Sequence, residues 1–174
     1  MYFKNSKNRG ALISINQMQL SDTNALKNAL TDLNATTAEY GLVLTVKQVN
    51  RLSDAVQRAL RESDRIEIGA GIMPILAAEF STSIFVTREN YAPLLEELIY
   101  IFFQVKTAVC DRITDKDLVR LIKDYYENKA FGSVEIMRER DIDLLIKFIE
   151  TEMGSGDAPD GDTYDSDCYT DERT

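Results

Sequence analysis

The stretch from Leu94 to Val109 constrains this chain more than any other. It contains Glu96, Glu97, Gln104 and Lys106, and so falls short of the roughly 20 apolar residues of a membrane span. Its middle, Leu98-Ile99-Tyr100-Ile101-Phe102-Phe103, is hydrophobic on every side of a helix. A helix of that kind has to be enclosed by other helices or covered by a partner chain. Apolar stripes at helical spacing are usually interior, so the spacing predicts a central helix at about 89–110, opened by Thr87-Arg88-Glu89-Asn90.

The rest of the chain supplies the enclosing helices. Leu26, Leu30, Leu33, Thr37 and Tyr40 recur at spacings of four and three, which places them on one helix face. Ser21 or Asp22 can cap its start, and Gly41 can close its end. Thr45-Val46-Lys47-Gln48 is a capping box followed by the stripe Val46, Val49, Leu52, Val56 and Leu60. Pro74 suits the first turn of a short helix carrying Ile72, Ile75, Leu76 and Phe80. Thr114 with Asp117 opens another, with Leu118, Leu121, Ile122 and Tyr125 inward. Phe131-Gly132-Ser133 breaks the chain before a last, kinked helix with Ile136, Ile142, Leu145, Phe148 and Ile149.

These patterns predict an all-α, compact single-domain bundle of about six helices at 21–153. Short extended segments are expected at 11–16 and 66–68. Residues 1–20 form an N-terminal arm, without the apolar core of a secretory signal. Residues 154–174 read as a disordered acidic tail with seven acids and one base. The net charge of −9 is therefore concentrated in that tail. Nucleic-acid binding, which needs a basic surface, is not expected. Neither is a membrane span. The two cysteines, Cys110 and Cys168, read as unpaired thiols in a reducing cytoplasm, Cys110 as a small buried hydrophobe.

The chain has no histidine. That removes the commonest general base and metal ligand, and every Ser–His or Cys–His pair. No catalytic residue, metal ligand or cofactor is assigned. One weak ligand site remains. Arg51, Arg58, Arg61 and Arg65 share a helix face, and Gly69-Ala70-Gly71 precedes a helix start. Guanidinium groups and helix N-terminal amides suit phosphate or carboxylate. The site would be Arg58, Arg61, Arg65, Gly69 and Gly71. A solvated helix face and a tight turn account for the same residues, and no complete nucleotide motif is present. Glu79, Glu96 and Glu97, with Tyr91 and Tyr100, form a carboxylate set with no matched partner. The tail run Asp160 to Asp167 departs from a calcium loop in both its glycine and its final acid.

The order of several landmarks resembles an uncharacterised family of small, mostly helical proteins of Gram-positive anaerobic bacteria. The matching pieces are Glu39 to Thr45, Arg65 to Pro74, Glu89-Asn90-Tyr91, and Ile113 through Ser133. The similarity spans roughly 25–150, and Ala70 stands where family members carry glycine. The resemblance implies a cytoplasmic bacterial protein and no known activity. Two functional readings follow. The first is a non-enzymatic protein-binding or scaffolding protein, whose partner is a basic protein surface or a second copy. The second is a small-ligand sensor or enzyme for a phosphorylated or carboxylated molecule.

Overall fold

A computed structural model describes residues 22–140 and 142–154. The N-terminal arm, the extended piece expected at 11–16, Cys168 and the acidic tail lie outside them. Within the described residues the fold is helical, with no strand. Six α-helices are present: α1 Thr23–Thr37, α2 Val46–Glu62, α3 Met73–Phe80, α4 Tyr91–Ala108, α5 Asp115–Asn128 and α6 Ile142–Gly154. A 3₁₀ turn, Ala38–Tyr40, follows α1, and a π-helical segment, Ile136–Arg140, precedes α6. No helix among the described residues is long and apolar enough to cross a membrane.

Helix α4 is the centre. Leu95, Leu98, Ile99 and Val105 are fully buried, and α4 packs against α2, α3, α5 and α6. Helix α1 closes over α2 and α3. Leu98 to Phe103 is thus interior apart from a half-buried Tyr100, and does not form a docking face.

The helix starts follow their local chemistry. Asp22 Oδ1 accepts from the Asn24 and Ala25 amides at 3.1 and 3.0 Å. Thr45 Oγ1 accepts from the Gln48 amide at 3.3 Å, while Gln48 Oε1 accepts from the Thr45 amide at 2.8 Å. These bonds satisfy amides that the first helical turn leaves without partners. The Asp117 amide donates to Thr114 Oγ1 in the same way at the start of α5.

Three expectations change. Tyr40 is exposed, because α1 ends at Thr37 and the 3₁₀ turn rotates Tyr40 off the buried face. Val46 is exposed because it is the first residue of α2, ahead of the stripe that enters the core. Cys110 sits at φ 52 just past α4, half-buried and disulfide-bonded. It is therefore neither a buried hydrophobe nor a free thiol. Residues 66–68 form an irregular link, with Ile68 95% exposed.

Asn34 holds the link between α1 and α2. Its amide donates to the Leu44 carbonyl at 2.9 Å and its Oδ1 accepts from the Leu44 amide at 2.8 Å. Leu42 and Leu44 are thereby set into the core. Removing both bonds should cost about 1–3 kcal/mol. Leu98→Ala should cost about 2–5 kcal/mol, as a cavity in the middle of α4. Urea unfolding of Asn34→Ala and Leu98→Ala checks both figures. An Asn34→Ala midpoint equal to that of the parent would show that the clamp contributes nothing.

Candidate functional site

The arginine face does not converge. Arg65 donates to both oxygens of Asp111 at 2.9 and 2.8 Å, and so is already neutralised by a paired carboxylate. Its partner lies in a wider knot. Lys106, almost fully buried, pairs with Asp115 at 2.8 Å and Asp111 at 3.8 Å, and donates to the Ile113 carbonyl. Arg58 Nε donates to the Tyr100 hydroxyl at 3.2 Å from a fully exposed position. Arg61 is exposed on the same helix. Arg65 lines a cleft of about 480 Å³ with Glu67, Phe103, Lys106, Asp111 and Asp115, and neither Arg58 nor Arg61 belongs to its walls.

The glycine turn carries an anion of its own. Glu67 Oε1 accepts from the Ile72 amide at 3.0 Å, at the start of α3. The carboxylate lies over Gly71, which has φ 66, and a Cβ there would collide with it. Gly71 is needed for that close approach as well as for its left-handed backbone. Gly69 has no neighbour that a side chain would meet. The second oxygen of Glu67 is sealed from solvent without a hydrogen-bond partner among the described residues. Burial raises the Glu67 carboxyl above its ordinary value of 4.5, against the pull of the Ile72 amide and with help from the charge of Asp115.

The carboxylate set is split differently. Glu79 pairs with Lys123 at 3.6 Å. The Tyr91 hydroxyl donates to the Ala77 carbonyl at 2.8 Å in the core. Glu96 and Glu97, adjacent on α4, both reach one cleft of about 280 Å³. Its other walls include Arg51 on α2, Asn90 before α4, Tyr126 on α5, and Gly132 and Glu135 beyond α5. Arg51 Nε lies 2.6 Å from Glu96 Oε1, whose side chain is 12% exposed. Arg138 lies 2.6 Å from Glu97 Oε2. Glu135 accepts from the Ser133 hydroxyl at 2.9 Å.

The local fold explains how these groups meet. Asn90 Oδ1 accepts from the Thr87 amide at 2.7 Å, and its amide donates to the Phe85 carbonyl at 3.0 Å, fixing the entry to α4. After α5, the Ala130 amide returns to the Tyr125 carbonyl at 2.9 Å and the Gly132 amide to the Tyr126 carbonyl at 2.8 Å. This double return puts Phe131 at φ 50 and Gly132 at φ 81. Gly132 lies against the Phe85 ring, where a Cβ would not fit. Tyr126 stacks edge-on to Phe85 and tilted on Phe80, with ring centroids 6.2 and 5.4 Å away. No group of three or more His, Cys, Asp or Glu side chains among the described residues could hold a metal ion.

Glu67 supplies a pH test. Its folded value is raised, so its contribution to stability is full below 4.5 and is lost as pH rises through the raised value. Glu67→Gln keeps an oxygen for the Ile72 amide and carries no charge. The stability of this variant relative to the parent should rise from acid to neutral pH, read from denaturant midpoints. A constant difference across that range would contradict the assignment.

No curated protein and no solved structure matches the chain. One family does, across residues 29–154. The chain belongs to that family, a family of unknown function designated DUF6323.

Proposed function

We propose that this chain is a non-enzymatic binding protein that recognises a basic surface of a protein partner, with Phe131 as the anchor. The observation that carries this reading is the state of Phe131 itself. It is 73% exposed and held at φ 50. A left-handed backbone costs a non-glycine residue roughly 1–2 kcal/mol. Here that cost is borne by a large aromatic side chain that returns little burial to the fold. Exposed aromatic side chains are the commonest interface anchors. Ile84, 87% exposed, flanks the same Phe85–Gly132 contact from the other strand of chain. The net charge of −9 and the glutamates of the neighbouring cleft favour a basic partner.

The reading of Arg58, Arg61, Arg65, Gly69 and Gly71 as a phosphate or carboxylate site has weaker support. Asp111 holds Arg65, and Glu67 occupies the amide at the glycine turn.

Phe131→Gly separates function from folding. Glycine relieves the left-handed backbone, so stability should be unchanged or higher by about 1 kcal/mol. Quantitative capture from cell extract should recover a basic protein with the parent chain and lose it with the variant. Equal recovery by both chains, or no partner at any salt concentration, would overturn the proposal.

A further inference from the structure

The cleft bounded by Arg51, Asn90, Glu96, Glu97, Tyr126 and Glu135 is not explained by the fold alone. Tyr126 is only 1% exposed, yet it forms part of the cleft wall. Its ring is fixed by Phe80 and Phe85. Its hydroxyl makes no hydrogen bond among the described residues and is not sealed from solvent, as the Ser53 and Glu67 oxygens are, so it is the tip of the side chain that meets the cleft. The hydroxyl also senses the charge of Glu135, after the larger effect of burial; both raise its pKa. Tyr126 and Glu135 both line the cleft.

The charges around it are unbalanced. Arg51 offsets Glu96 and Arg138 offsets Glu97, each at 2.6 Å. Among the described residues, Glu135 has only the Ser133 hydroxyl. One negative charge is therefore left over among the described residues. Each of the three glutamates also keeps one oxygen that accepts no hydrogen bond among the described residues. An anion would be repelled here. A ligand that brings several N–H donors and one positive charge would meet both the spare oxygens and the unpartnered hydroxyl. Two glutamates of the walls already hold guanidinium groups, Arg51 within the walls and Arg138 outside them, so this is a geometry they accept. The acids are spread around the walls rather than gathered as metal ligands, which favours an organic cation.

We infer that this cleft is a binding site for a single ammonium or guanidinium group, held by Glu135, the spare oxygens of Glu96 and Glu97, and the Tyr126 hydroxyl. A volume of about 280 Å³ takes such a group with a short alkyl stem, not a nucleotide. The inference rests on the cleft and not on Phe131, so the two can fail separately. The cation has two sources: a free small amine or guanidine, or a lysine or arginine side chain presented by another protein.

Calorimetric titration of the full chain distinguishes them. The probes are methylguanidine and butylamine as free cations, and N-acetyl arginine amide and N-acetyl lysine amide as side-chain mimics. The matching citrulline and norleucine amides are neutral controls. The cationic probes should bind saturably at one site and the neutral ones should not. Tyr126→Phe removes a hydroxyl that the fold does not use, and Glu135→Gln removes an exposed charge. Each should weaken binding tenfold or more while thermal unfolding stays unchanged. Tighter binding of the free cations assigns a small molecule, and tighter binding of the capped residues assigns a protein side chain. The inference is overturned if no cation binds at millimolar concentration. It is equally overturned if neutral probes bind as well as charged ones, or if both variants bind like the parent.

Discussion

The enclosure of α4 is the constraint on which the rest of this structure depends. A helix apolar on all sides has no stable position at a surface. Helices α2, α3, α5 and α6 therefore pack around it. The polar groups that α4 does carry must find exits. Lys106 leaves near its C-terminal end, into the knot with Asp111 and Asp115. Glu96 and Glu97 leave near its N-terminal end, toward Arg51 and Arg138. These two charged clefts are thus consequences of burying one helix.

These two exits differ in what they leave over. At the Lys106 end, Arg65 and Lys106 are matched by Asp111 and Asp115, and the adjacent turn is closed by Glu67. Among the described residues there, the group left without a partner is the sealed oxygen of Glu67, which no ligand reaches without local opening. At the Glu96 end, one carboxylate charge and one tyrosine hydroxyl remain unmet among the described residues, and an exposed Phe131 precedes Gly132 of the cleft wall. Recognition is favoured where polar groups are incomplete and accessible over where they are already paired.

Much of the fold was legible in the residues. The capping box of α2, the Thr114 cap and the apolar stripes are local signals, and local geometry honours them. The central place of α4 followed from its composition. The site was much less legible, because it depends on how distant turns meet. Phe131-Gly132-Ser133 reads as a chain break. Only the returning bonds to Tyr125 and Tyr126 turn Phe131 outward. The ring of Tyr126 is core, but no periodicity reports whether a hydroxyl has a partner. Glu96 and Glu97 point about 100° apart on an ideal helix. They still share a cleft, because Arg51 and Arg138 approach from different elements. The arginine face was visible in sequence, whereas Asp111, which holds Arg65, lies 46 positions away.

The most direct test of this account is the map of backbone amide shifts in the full chain on adding methylguanidine. The account predicts saturable changes centred on Asn90, Glu96, Glu97, Tyr126, Gly132 and Glu135, with Arg58, Arg65, Gly69 and Gly71 unmoved. Saturable changes at the arginine and glycine positions on adding inorganic phosphate, with the glutamate cleft silent to methylguanidine, would contradict it.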